Sequence, residues 1–391
     1  MKFFLKGSLP FYYFVMNRLY FIIVFAISYL SCAASNDDSL ASQPLTNTWT
    51  VDAYSQLISK TKSYSADYTQ EALHRGRIER IDYSTRNYAE GNDRERDNTA
   101  YVYLPYGYDD DVSMQYNVLY LIHGHYGTAS SMFTSENELL RKVLDHLFEN
   151  REAAPTIVVA PSYNYGEPIP NYVDADPYCK ALPLELVNDL LPLVETNYRT
   201  HLTSGSVNQI EATRQYRAIG GFSMGAVTTW YALAETFEAF KYYLPMSGDC
   251  WSLGAFAGMN RPVETADYLS RIILQSPNAT NFYIWAASGT NDSAYSETLQ
   301  QVRGMAQLTD VFDINHLSFH EKDGAMHDYR ALPEYVYNAL PFFFPYESST
   351  AIDKVMQETR LSSSTIAYGI DGLPAQGRGI VIQNRQKMFK K

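Results

Sequence analysis

The sequence predicts an α/β fold with a mostly parallel central sheet and helices on both faces. Three observations carry that prediction. Short apolar runs alternate with helical segments from Tyr101 to Leu340, as successive strand and helix units do. No internal repeat interrupts the alternation. The 391 residues are 46% hydrophobic and 19% charged, so the chain can bury a sizeable core, and disorder, collagen and coiled coil are excluded. One α/β domain can reach ~250 residues alone, so a single large domain with extended ends is expected.

Taken in order, Tyr101–Pro105 reads as an early strand, Asn117–Ile122 as a buried one and Thr156–Pro161 as the next. A helix from Pro183 to Tyr198 follows, because proline suits a first helical position, and Pro192 is expected to kink it. The strand Tyr216–Gly220 leads to a helix from Met224 to Thr236. Tyr283–Ala287 and Leu317–His320 are the late strands, and a helix from Arg330 to Leu340 closes the domain. The ligand crevice of such a sheet lies beyond the carboxyl ends of its strands, so chemistry is expected in those loops.

The ends read differently. Leu19–Leu30 is an apolar run behind Arg18, too short to span a bilayer comfortably, and residues 1–32 have the shape of an export signal. A spanning helix that includes Leu9–Met16, interrupted at Asn17-Arg18, is the alternative. Ser31-Cys32 followed by Ala33-Ala34-Ser35 resembles a bacterial lipoprotein signal, with Tyr29 where that motif usually has Leu. A lipid anchor at Cys32 would be the only membrane contact, on a chain exported to the cell envelope or secreted. Residues 33–74 read as a linker and lead-in, 75–346 as the folded domain, and 347–391 as a linker and short β-hairpin tail. The hairpin is expected from Ile366–Gly372 and Arg378–Ile382 around a Gly/Pro turn.

The formal net charge is −12, and residues 1–32 carry three bases and no acid, so the body is more acidic still. Such a surface repels phosphate backbones, and nucleic-acid binding is not expected. Cys179 and Cys250 could pair in an oxidising compartment or stand as free buried thiols.

Gly221-Phe222-Ser223-Met224-Gly225 stands between an expected strand and helix, the context in which a nucleophilic serine is lifted clear of a sheet. A serine hydroxyl needs a base. His316, His320 and His327 are the histidines that follow, and His327 is chosen because its loop directly precedes the last helix. Asp292, in the loop after Tyr283–Ala287, is the expected partner of that imidazole, with Asp249 and Asp323 as rivals. The oxyanion formed on attack needs two donors, and the backbone N–H groups of Met224 and His125 are the candidates. His123 and His125 are two apart with no third ligand beside them, so no metal site is expected.

With those residues in place, the chain from about Gly76 to Phe344 resembles feruloyl esterases of carbohydrate esterase family 1. The likeness rests on Tyr103-Leu104-Pro105-Tyr106-Gly107-Tyr108, Leu121-Ile122-His123-Gly124, Gly220–Gly225, Leu244–Trp251 and Ala339–Phe343. The resemblance implies an α/β-hydrolase fold, a Ser223–His327–Asp292 triad and hydrolysis, without a cofactor, of feruloyl or acetyl esters on plant xylan. Feruloylated arabinoxylan is the expected partner. His125-Tyr126 departs from the small residues of many relatives, and the Tyr163–Tyr178 segment is this chain's own; both are expected to border the pocket. Tyr126, Trp251 and Asp249 are the candidate substrate-binding residues. Acetylxylan or general short-chain esterase, acyltransferase and non-catalytic glycan-binding protein are the alternatives.

Overall fold

The computed structural model describes residues 54–91, 94–133 and 138–346, and the backbone of 379–383 and 386–390. Nine strands of the described chain form one sheet: β1 (Ile58–Lys60), β2 (Arg77–Arg86), β3 (Glu95–Leu104), β4 (Asn117–Ile122), β5 (Thr156–Ala160), β6 (Arg217–Phe222), β7 (Tyr242–Met246), β8 (Tyr283–Gly289) and β9 (Leu317–Lys322). Their order is β1-β9-β8-β7-β6-β4-β5-β3-β2. Pairing is parallel from β1 to β5 along that order, and the edge strands β3 and β2 run antiparallel. This is the sheet of an α/β-hydrolase fold.

The two faces of the sheet bury two apolar clusters, as a doubly covered sheet must. On one side lie α2 (Tyr172–Glu185), α3 (Leu191–Asn197), α5 (Met224–Glu235), α7 (Pro262–Leu274) and α8 (Tyr295–Met305), and on the other α1 (Glu138–Glu149) and α9 (Leu332–Phe343). Two short helices, α4 (Val207–Ala212) and α6 (Ala257–Asn260), complete the set.

Several expectations are corrected. The helix expected from Pro183 begins at Tyr172, where the Asn171 side chain accepts the Asp174 N–H at 2.9 Å. It runs through Pro177 and Pro183 and a wide π-turn at Leu186–Leu190 into α3. Two prolines argue against helix locally, but Ala175, Cys179 and Leu182 are buried in the core and hold it. The folded region also begins before residue 75: β1 pairs with β9, and Tyr68 is buried. In the tail, the strand expected at 378–382 is found at Gly379–Gln383 but pairs with Gln386–Lys390. Ile366–Gly372 and the export signal with Cys32 lie outside the described residues. Cys179 and Cys250 are free and buried.

Candidate active site

β6 ends at Phe222, and the chain turns at Ser223 with φ +57° and ψ −116° before α5 begins. A non-glycine residue held there costs about 1–3 kcal/mol, so its surroundings must enforce it. They do so by close packing. A Cβ on Gly221 would lie 2.5 Å from the Gly225 carbonyl oxygen, and one on Gly225 would lie 2.3 Å from that of Ile122. The turn leaves the Ser223 hydroxyl at the carboxyl edge of the sheet, where it donates to His327 Nε2 at 2.9 Å.

His327 Nδ1–H donates to Asp292 Oδ1 at 2.6 Å, and the Asp292 side chain is fully buried. The loops carrying the two residues follow adjacent strands, β8 and β9, and are tied together. Asn291 N–H donates to Ala325 O at 3.0 Å, and Gly324 N–H to Thr290 Oγ1 at 2.8 Å. Ala294 N–H donates to Asp292 Oδ1 at 2.7 Å, which fixes the carboxylate from behind.

The loop after β4 is held as firmly. The Gly124 carbonyl accepts from His123 Nδ1 at 2.8 Å, from the Tyr163 hydroxyl at 3.0 Å and from Gly127 N–H at 3.0 Å. Gly124 N–H donates to the Tyr329 hydroxyl at 2.7 Å. No described peptide is cis, so a carbonyl held on one side turns the N–H of His125 to the other. Burial pushes His123 down to about 4, which keeps it a neutral donor at Nδ1.

Above the serine is a cavity of about 880 Å³, lined among others by Gly124, His125, Tyr126, Met224, Trp251 and His327. That volume suits a small organic ligand of aromatic size.

The Esterase family model matches residues 91–338. The chain belongs to the esterase family. It is a carboxylic ester hydrolase. Endo-1,4-beta-xylanase Y of Acetivibrio thermocellus is 33% identical over 251 residues, 62% of this chain, which spans about a fifth of that protein's length (21%). Among solved structures, a mutant feruloyl esterase module from Clostridium thermocellum complexed with sinapinate is 29% identical, with a TM-score of 0.64 over 75% of this chain and 96% of its own. A second structure, of FAE, is 30% identical with a TM-score of 0.63 over 74% of this chain and 95% of its own. The CE1 ferulic acid esterase of Anaeromyces mucronatus, at 21% identity and TM-score 0.55 over 74% and 98%, shares the fold.

The esterase brings together most of the residues picked from its sequence. Ser223, His327 and Asp292 meet, and Met224 and His125 border the same cavity with Tyr126 and Trp251. Asp249 is a correction: it is fully buried, outside the cavity lining, and acts on its neighbour. Its Oδ1 accepts Trp251 Nε1–H at 2.8 Å and its Oδ2 accepts Met259 N–H at 2.7 Å, so it fixes the indole. Burial pushes that carboxyl up to about 6.

The rival base and acid lie elsewhere. His320 stacks on Trp285 with ring centroids 3.7 Å apart, and Asp323 pairs with Lys60 at 2.6 Å. Tyr172, in the segment expected at the rim, does line the cavity and packs on Trp251 at 6.2 Å. Phe256, Tyr329 and Glu297 line it without having been singled out in the sequence: Phe256 packs on Trp251 at 4.7 Å, Tyr329 braces Gly124, and Glu297 stands on the first turn of α8. Tyr163 and Tyr165, expected at the rim, pack instead on His123 and Arg96. Among the described residues no three His, Cys, Asp or Glu side chains are grouped as metal ligands.

Proposed function

We propose that the esterase hydrolyses hydroxycinnamoyl esters of plant xylan, feruloylated arabinoxylan above all, through an acyl-enzyme on Ser223. The observation that carries this reading is the Ser223–His327–Asp292 relay at the floor of an aromatic-walled cavity. Ser223 Oγ attacks the ester carbonyl carbon while its proton passes to His327 Nε2. The oxyanion is held by the N–H groups of Met224 and His125. His327 then gives the proton to the departing sugar oxygen as the C–O bond breaks. A water, deprotonated by His327, attacks the acyl-enzyme, and the proton returns to Ser223 as the acid leaves. Asp292 stays ionised throughout and keeps Nδ1 protonated.

The acyl group is argued from the wall. Trp251, Tyr172 and Phe256 form a cluster of rings, and aromatic pairing is worth about 0.5–1.5 kcal/mol beyond burial. A cinnamoyl ring uses such a wall, whereas an acetyl group leaves it empty. The names of the related proteins, a xylanase and feruloyl esterases, support the same choice. Export, with anchoring at Cys32, is part of the proposal and rests on residues 1–32 alone.

The test compares methyl ferulate with acetylated xylan as substrates, with Ser223→Ala alongside. Removing a triad serine costs on the order of 10⁶ in turnover. Ferulate release that vanishes in the variant is expected. Deacetylation alone would overturn the acyl assignment, and activity surviving in the variant would overturn the nucleophile.

A further inference from the structure

Glu297 is a carboxyl group inside the catalytic cavity that the mechanism above does not use. It is half-buried, lines the cavity beside Ser293 and Ala294, and has no hydrogen-bond or ion-pair partner among the described residues. The groups that bear on its charge are Asp249 and Asp292, which repel it, and His327, which attracts it. Burial and the two aspartates push it up to about 7. Two other charged groups line the cavity, Asp328 and Arg330, and they are paired with each other. His125, which also lines the cavity, is pushed down by burial and stays neutral, and Tyr126, Tyr172 and Tyr329 are the other titratable groups of the lining.

A half-buried carboxylate without a partner is screened less by water than an exposed one, so its effect on a molecule bound in the cavity is larger. The neutral ester that enters this cavity has no charge for Glu297 to act on. The acid that leaves has one, formed at the carbonyl carbon that Ser223 attacked. We propose that Glu297 makes the pocket selective for uncharged acyl groups, turning away anionic ones and disfavouring rebinding of the carboxylate product. The proposal rests on Ser223 as the nucleophile and not on ferulate as the acyl group.

The test uses two esters of the same shape and different charge, 4-nitrophenyl butyrate and the 4-nitrophenyl monoester of succinate. At pH 8 the wild type is expected to favour the butyrate ester in kcat/KM. Glu297→Gln keeps the shape, removes the charge, and narrows that preference about fivefold or more through a gain on the succinate ester. A preference unchanged in the variant overturns the proposal, as does a variant whose only change is a shifted acid limb of the pH profile, which would place its effect on His327. If the variant loses turnover of both esters, the wild type decides. Its preference narrows between pH 8.5 and pH 6 as Glu297 takes up a proton, whereas any loss of the shared catalytic machinery lowers both rates alike; a constant preference overturns the proposal. Failure to turn over the butyrate ester in a Ser223-dependent way overturns the nucleophile and the proposal together, whereas turnover with an unaltered preference overturns the proposal alone.

Discussion

Tyr329→Phe isolates the bracing of the oxyanion loop, because it deletes one hydroxyl and keeps the ring against Phe222. That hydroxyl accepts Gly124 N–H at 2.7 Å. Without it the donor is left unsatisfied at the edge of the cavity, at a cost of about 1–3 kcal/mol, and the loop relieves the cost by rotating the Gly124 peptides. The N–H of His125, the proposed second oxyanion donor, then turns away from the cavity. Loss of one such donor outright costs about 10²–10³ in turnover, which sets the ceiling. A hydrogen bond of 1–3 kcal/mol corresponds to a fall of roughly 5–150-fold in kcat. KM should hold, since the donor matters only once charge develops on the carbonyl oxygen. Tyr163→Phe is the internal comparison. It removes one of three donors to the Gly124 carbonyl, and the remaining two hold the peptide, so a fall of about fivefold or less is expected. Steady-state kinetics on a neutral ester, with thermal melts to exclude unfolding, decide the matter. Equal effects from the two variants, or a change in KM alone, would refute the bracing argument.

Two further predictions concern stability and processing. Glu185 accepts from the Tyr83 hydroxyl at 2.6 Å and from Asn98 Nδ2 at 2.8 Å, and its burial pushes it up to about 7. The folded state therefore binds this proton more tightly than the unfolded chain, so stability is full below about pH 4.5 and is lost as pH rises through 7, by up to ~3 kcal/mol. Urea melts of Glu185→Gln at pH 5 and pH 8 should show that slope flattened; a slope equal to the wild type's would assign it to other groups. Intact-mass measurement of envelope protein is expected to find cleavage before Cys32 with added acyl chains, and an uncleaved amino terminus would remove the anchor.

What could be read in advance follows burial. β4, β5 and β6 are almost wholly buried and were legible to within two residues, as was the Ser223 turn, where Gly221 is dictated by contact with the next helix and Gly225 by contact with the end of β4. The edges were not legible. β2 alternates exposed Arg, Asp and Ser with partly or fully buried residues, and β1 has three residues and no apolar run. The start of α2 was hidden by Pro177 and Pro183, whose local preference is overruled by packing that no window of sequence contains. Asp249 illustrates the same limit at the site. Its position after β7 marked it as a pocket residue, but a turn brings the Trp251 indole back onto its carboxylate and spends it on orientation.

The direction of the edge strand β1 sets how the molecule can be held. It runs parallel to β9, so Tyr54, ahead of it, lies toward the amino ends of the strands, where it meets Arg303 near the end of α8. α9 finishes at that same pole: Phe343 stacks on Tyr242 and Phe342 packs on Tyr283, the first residues of β7 and β8. The cavity opens at the other pole, beyond the carboxyl ends. A molecule tethered at Tyr54 or just past Phe344 would therefore carry its open cavity on the side away from the tether.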